Sequence, residues 1–196
     1  MTTTAEGAHT RERILRAAAA LFREKGVNGA SMQDLATAVG VTKSSLYHHF
    51  SSKQALLSEI LELTVNRVDP ILRKVASSGL SATERLHRAV ETHIIELIRD
   101  QDNLTCFVEQ GRYLEPAYME AYKSKRDAYE RSFRDIIDDG VTSGEFREVD
   151  VRLASMAILG MCNWMIHWYR PRGERKPAEI AAEFAKMAIA AIEADQ

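Results

Sequence analysis

The sequence predicts an all-α protein with a small helical head and a larger helical body. Three observations carry this. Apolar residues recur three and four positions apart along nearly every segment. Only four prolines and ten glycines interrupt 196 residues, and most fall between periodic runs. No stretch of useful length alternates apolar and polar residues as a half-buried strand would.

From Arg11 to Lys25, Ile14, Ala17, Ala18, Leu21 and Phe22 lie at helical spacing and Gly26 stops the run. Ser31 opens the next segment, with Asp34 at capping-box spacing and Gly40 as its C-terminal stop. A short helix runs from Thr42 to about His48. Ser51 and Gln54 repeat the capping spacing before a longer helix from Ser52 to about Lys74. Beyond Gly79, Leu86, Val90, Ile94, Leu97 and Ile98 mark one helix, and residues 103–113 form a less regular one. Pro116 suits a first helical position, and its helix continues to Gly140. Helices over about 150–169 and 177–193 close the chain, separated by "RPRGERK". The predicted domains are 8–52 and 53–196.

With 45% hydrophobic residues the chain can bury a sizeable core. "MTTTAEGAH" lacks the apolar stretch of a signal peptide, and no 18-residue uncharged apolar run exists, so a cytoplasmic protein with no membrane partner is expected. Cys106 and Cys162 cannot build a disulfide framework. Net charge is -2, with six Lys/Arg against four Asp/Glu in residues 1–50. That mild imbalance does not by itself separate a polyanion-binding face from an ordinary solvated one.

The informative stretch is "VTKSSLYHHF", residues 41–50. Leu35, Val39, Val41, Leu46 and Phe50 supply apolar anchors for a helix-turn-helix. They leave one polar face: Lys43, Ser44, Tyr47 and His48, with Thr42 and His49 at its edges. Adjacent histidines on a helix diverge by about 100° and do not clasp one ion, and no metal-ligand spacing accompanies them. Acid–base catalysis needs a pocket that so small a head lacks, and the body shows no nucleophile–base–orienter set, so no metal, cofactor or enzymatic activity is expected. A merely wet helix face remains a rival on charge alone. Against it, the helix N-terminus exposes free N–H groups suited to phosphate. Lys43 and the serines are placed for base edges, and Tyr47, a histidine and Lys53 for phosphates.

Segment 11–57 closely resembles the N-terminal DNA-binding domain of the TetR family of transcriptional regulators. It joins "ILRAAAALFREKG", "SMQDLATAVGV" and "SLYHHFSSKQALL" at the family's spacing. The resemblance implies an N-terminal three-helix helix-turn-helix DNA-binding domain followed by a helical ligand-binding and dimerisation domain. Ser31 matches an N-cap that also touches the DNA backbone, and Thr42 a cap and backbone contact. Lys43, Ser44 and Ser45 match base-reading positions, and Tyr47, His48, His49 and Lys53 phosphate-holding ones. The family pattern further implies a homodimer on a pseudopalindromic double-stranded DNA operator, its seam formed by residues 150–193, where "RLASMAILGMCNWMIHWY" is apolar nearly all round.

Polar residues in the apolar body are candidates for a small-molecule site: Asn163, His167 and Arg170 beside Cys162, Trp164 and Trp168, and a second group of Glu109, Arg112 and Tyr113. Arg170 as a helix-terminal residue and the tryptophans as core or seam are equally open. "AILGMCNWMIHWYRPRGERKPAEIAAEF" resembles the C-terminal half of a TetR branch of repressors of fatty-acid, steroid or aromatic-acid degradation, whose effectors are acyl-CoA thioesters. This resemblance implies an acyl cavity with basic residues at its mouth, from Arg112, Arg170, Arg172, Arg175 and Lys176. A ligand-responsive repressor released by a small hydrophobic effector, an acyl-CoA thioester, is therefore expected. A regulator with another effector or none, an activator, and a non-regulatory module on the same scaffold are the alternatives.

Overall fold

The computed structural model describes the backbone of residues 2–194 and the side chains of residues 9–194. Its helices are α1 (Thr2–Gly29), α2 (Met32–Val39), α3 (Lys43–His49), α4 (Lys53–Ala76), α5 (Ala82–Arg99), α6 (Gln101–Thr105), α7 (Pro116–Ser143), α8 (Val151–Asn163), α9 (Met165–Trp168) and α10 (Pro177–Ala190). A π turn (Cys106–Gln110) and a 3-10 turn (Gly111–Tyr113) follow α6. Among the described residues the one extended feature is an antiparallel bridge between Phe146 and Glu193. The chain is all-α, as its periodicity predicts.

Two compact units form. The first holds the residues through Thr64 together with Gln101–Ser124, the second Val65–Asp100 and the residues from Lys125 onward. The units meet at 64/65, 100/101 and 124/125, beside the expected division into 8–52 and 53–196, and segment 101–124 packs with the head. Residues 195 and 196, the end of the expected second domain, lie outside the described residues.

In the first unit, Ile14, Ala18 and Phe22 of α1 are fully buried. Gly26, at φ 70°, breaks the helix. The freed Val27 N–H donates to the buried Gln110 Oε1 at 3.1 Å. Ser31 and Asp34 form the expected capping box. Gly40 adopts φ 74°, a left-handed conformation that costs a residue with a Cβ, and so turns the chain between α2 and α3. Leu46 and Phe50 sink into a core that includes Leu35, Leu56, Leu57 and Ile60. Arg11 seals it from outside: its guanidinium lies 4.2 Å from the Phe50 ring centroid, donates to the His49 carbonyl at 2.8 Å and pairs with Glu59.

Segment 101–124 packs α6 and the π turn against α1, ties Asp102 to Arg23 at 3.0 Å and buries Cys106, Leu114 and Tyr122 in the same core. The cap expected from Ser51 and Gln54 is not formed. Ser52 Oγ instead accepts the Ala55 N–H at 3.1 Å. Gln54 is drawn away by segment 101–124, donating to the Tyr113 carbonyl and accepting the Glu115 N–H, both at 3.1 Å.

In the second unit, α10 lies along α5. Leu86, Val90, Ile94, Phe133, Ile136, Ile137, Phe146 and Ile180 are buried. Ala181, Ala185 and Ala188 of α10 are buried within the chain itself, so at least these small residues serve its own packing. The Glu145 carboxylate accepts the N–H groups of Ala82 and Thr83 at 3.0 and 2.9 Å, a second cap on α5. Those bonds, that from Thr83 foremost, hold the carboxyl below the usual range. The helix expected over 150–169 is interrupted. At Trp164 the backbone tightens to φ -58°, ψ -19°, and His167 N–H bonds three residues back to the Trp164 carbonyl.

Gln110→Leu keeps most of the buried volume but removes the acceptor of Val27 N–H. A buried unsatisfied donor costs about 1–3 kcal/mol. Urea unfolding should show a loss of that size, whereas Glu120→Gln at an exposed position should change stability little.

Candidate functional site

The seven residues of α3 cannot be stable as an isolated helix; Leu46 and Phe50 hold them from below. Their anchoring leaves Lys43, Ser44, Tyr47 and His48 exposed on the opposite face, with Tyr47 45% accessible. Thr42, also exposed, accepts the Ser45 N–H at 3.1 Å, so its hydroxyl fixes the start of α3. Ser45 and His49 are half-buried at the edges. The Ser31 hydroxyl takes the Asp34 N–H at 3.1 Å and donates to the Asp34 carboxylate at 2.8 Å. That side-chain bond is the chief reason the Asp34 carboxyl lies below its ordinary value. Lys53 is half-buried and donates to the Ala30 carbonyl at 3.0 Å, so it braces the loop before α2 while retaining two further N–H donors. Lys43, Ser44, Tyr47 and His48 share one surface, whereas Ser31, Thr42 and Lys53 are engaged in framing it.

In the first unit, Arg112 covers the Tyr113 ring at 4.9 Å on the exposed 3-10 turn, with Glu109 half-buried just before it. In the second, Trp164 and Trp168 are 63% and 44% exposed. Trp164 lies tilted by 49° against the exposed His167 at 4.3 Å, and Trp168 stacks on Phe184 at 6.2 Å. Arg170 donates to the carbonyls of His167 and Tyr169 at 3.3 and 3.0 Å, the helix-terminal role left open by the sequence. Asn163 differs from these four. It lines a cavity of about 580 Å³ between α7 and α8, and its Oδ1 lies 3.1 Å from His93 Nε2.

His93 and Tyr129 were not singled out by sequence reasoning. With the Asn163 oxygen facing Nε2, that nitrogen carries the proton and Nδ1 accepts from the Tyr129 hydroxyl. Burial pushes the His93 pKa down from 6.5 to about 4, partly opposed by the Asn163 bond. The same burial raises Tyr129 and pushes the Cys162 thiol up to about 12. The trio is thus neutral, polar and satisfied at ordinary pH. The cavity beside it is walled by Arg126, Arg131 and Arg134 of α7 and Arg152 of α8, against Asp127 and Glu130, with Met156 and Leu159 also lining it. Among the described residues no group of His, Cys, Asp or Glu is arranged to hold a metal ion. No helix there is long and apolar enough to cross a membrane.

A short helix with a buried anchor side and an exposed polar face, following α2 across the Gly40 turn, forms the helix-turn-helix of the first unit. The chain belongs to the TetR family. Residues 14–60 match the family model of bacterial regulatory proteins of the tetR family, and residues 79–192 the tetracyclin repressor-like C-terminal domain. The HTH-type transcriptional repressor KstR2 of Rhodococcus jostii (strain RHA1) is 26% identical over 181 residues, 91% of this chain and 89% of that protein. The crystal structure of PfmR, a TetR family regulator from Thermus thermophilus, superposes with a TM-score of 0.83 at 37% identity, covering 91% of this chain and 97% of that one. AibR, in a crystal structure with isovaleryl coenzyme A and operator DNA, shares the fold with a TM-score of 0.83 at 24% identity, over 91% and 97% of the two chains.

Because His93 is neutral when folded and protonates near 6.5 when unfolded, the unfolded chain binds the extra proton between those pH values. Its contribution to stability is complete above pH 6.5 and is lost as pH falls toward 4, at about 1.4 kcal/mol per pH unit at most. Thermal melts of the wild type and His93→Gln should diverge above pH 6.5 and converge toward pH 4. An undiminished gap at pH 4 would remove the histidine from the acid response.

Proposed function

We propose that the protein is a dimeric repressor that binds a pseudopalindromic operator and is released by an acyl-CoA thioester. The observation that carries the DNA half of this reading is the exposed face Lys43, Ser44, Tyr47 and His48 on a helix fixed by its buried side. Lys43, Ser44 and Ser45 at the start of α3 read base edges in the major groove. Tyr47, His48 and His49 contact phosphates, with Ser31, Thr42 and Lys53 supporting the same backbone. KstR2 is named a repressor, and AibR was crystallised with both a coenzyme A thioester and operator DNA. The first supports repression, and the second supports carrying that pairing of ligands to this chain.

Dimerisation through 150–193 is supported by the apolar surface of the second unit. Leu153 of α8 and Met187 of α10 are 62% and 47% exposed, and Trp164, 63% exposed, closes the α8 stripe. Large exposed apolar side chains at one helical spacing are unusual on a monomer. A two-fold pair presents its α3 helices about 34–36 Å apart, one duplex turn. Effector binding in the body shifts the population toward a spacing that fits the operator poorly; a tenfold loss of DNA affinity needs about 1.4 kcal/mol of coupling. Glu109, Arg112 and Tyr113, and Asn163, Trp164, His167, Trp168 and Arg170, remain the candidate residues around the effector. Asn163 is the best supported of them by position.

Fluorescence-anisotropy titration against a duplex selected by the protein itself, at fixed near-physiological salt, tests both halves. A thioester should release the duplex while its free acid does not. Lys43→Ala should lose affinity and relax preference at one or two positions of each half-site. Tyr47→Phe should weaken all single-base variants alike. Equal loss on every variant for Lys43→Ala sinks the base-reading role. Leu153→Glu should yield monomers in sedimentation, with loss of operator binding.

A further inference from the structure

We infer that the arginine-walled groove between α7 and α8 seats the phosphate groups of the effector, an assignment that rests on the thioester reading above. On α7, Arg126, Glu130, Arg131 and Arg134 recur at helical spacing along one stripe, and Arg152 faces them from α8. Glu130 is shared, 3.2 Å from Arg126 and 3.7 Å from Arg134. Arg134 also donates to the Asp127 carbonyl at 3.3 Å. Arg131 and Arg152 are exposed and, among the described residues, neither pairs with a carboxylate. Four guanidinium groups therefore wall one groove against two carboxylates, and their mutual repulsion is relieved by an anion bound between them.

The rest of the lining narrows the anion to one attached to an apolar or mixed body. Met156 and Leu159 give the groove an apolar side, and Gly160 leaves space where another residue would place a side chain. A volume of about 580 Å³ is that of a small-molecule site. Guanidinium forks bind phosphate oxygens two at a time, so a group bearing several phosphates suits them better than a single carboxylate. Asn163 joins the groove to the buried His93 and Tyr129, whose polar but uncharged atoms neither repel nor compete with a phosphate. The exposed loop 170–176, the basic mouth expected from the sequence, is a weaker candidate, since Arg170 spends its guanidinium on two backbone carbonyls.

The test is a comparison of two thioesters with the same acyl chain, one on coenzyme A and one on pantetheine, which lacks the phosphates. Calorimetric titrations use the full-length wild type, Arg131→Gln/Arg152→Gln, the single Arg131→Gln, and Arg172→Gln/Arg175→Gln in the loop. The wild type should prefer the coenzyme A thioester by roughly tenfold or more, a preference that weakens with salt. The groove double variant should bind both thioesters within about twofold of each other, the single variant should fall between, and the loop variant should keep the wild-type preference. Melting temperature should match wild type in all of them, and operator affinity without effector should match wild type in the single Arg131→Gln variant, which lies outside 150–193. A groove variant that keeps the full preference overturns the phosphate assignment and leaves the thioester reading standing, as does a wild type that binds both thioesters equally. A wild type that binds neither removes the thioester reading and this inference together.

Discussion

The two apolar side chains beneath α3, Leu46 and Phe50, are the contacts on which the exposed face depends. A helix of seven residues has too few internal hydrogen bonds to offset the entropy of nucleation. Its conformation is therefore set by burial of those anchors and by the entry angle that Gly40 imposes. This frees the outward side chains from any structural duty. Arg11 extends the same economy across the head: one guanidinium covers the Phe50 ring, receives the end of α3 at the His49 carbonyl and is itself neutralised by Glu59.

The head was legible in the sequence because its determinants are local. Ser31 with Asp34, Gly40 with its left-handed φ, and Leu46 four residues before Phe50 all act within a few positions of one another. Gln54 shows where that legibility ends. Its spacing from Ser51 is right for a cap, yet Tyr113 and Glu115, about 60 positions away, offer it better-defined partners. The same long-range packing puts 101–124 into the head's compact unit, which no periodicity reveals. In the body, apolar spacing located the helices, but not the break at Trp164 or the outward turn of Trp164 and Trp168. Composition marks a tryptophan as apolar without saying which side of its helix it occupies.

His93 illustrates a different limit. In "ETHIIELI" it reads as a lone histidine on an apolar stripe, and its partners Tyr129 and Asn163 lie 36 and 70 residues away. Those partners change its chemistry. A histidine charged at neutral pH would face the desolvation cost of a buried cation, whereas a neutral ring with one donor and one acceptor is satisfied by an amide oxygen and a hydroxyl. The trio thus supplies directional bonds among α5, α7 and α8 where dispersion contacts alone would permit sliding. The bond to His93 also fixes the orientation of Asn163, which lines the cavity wall.

Arginine count was a poor guide to where cationic chemistry resides. "RPRGERK" is the densest basic run in the body, but charge on an exposed loop is well solvated and reaches a ligand only by ordering the chain around it. The α7 arginines are spread over nine residues and interrupted by two carboxylates, so no run announces them. Helical geometry gathers them, and Arg152 joins from a different helix. Within that set Glu130 tethers Arg126 and Arg134, which limits their rotamers and gives the wall a fixed shape. Arg131 and Arg152 retain donors that can be directed at an incoming oxyanion. A groove built only from paired arginines would be neutral, and one built only from unpaired arginines would be poorly defined. The mixture supplies both a shape and an uncompensated field.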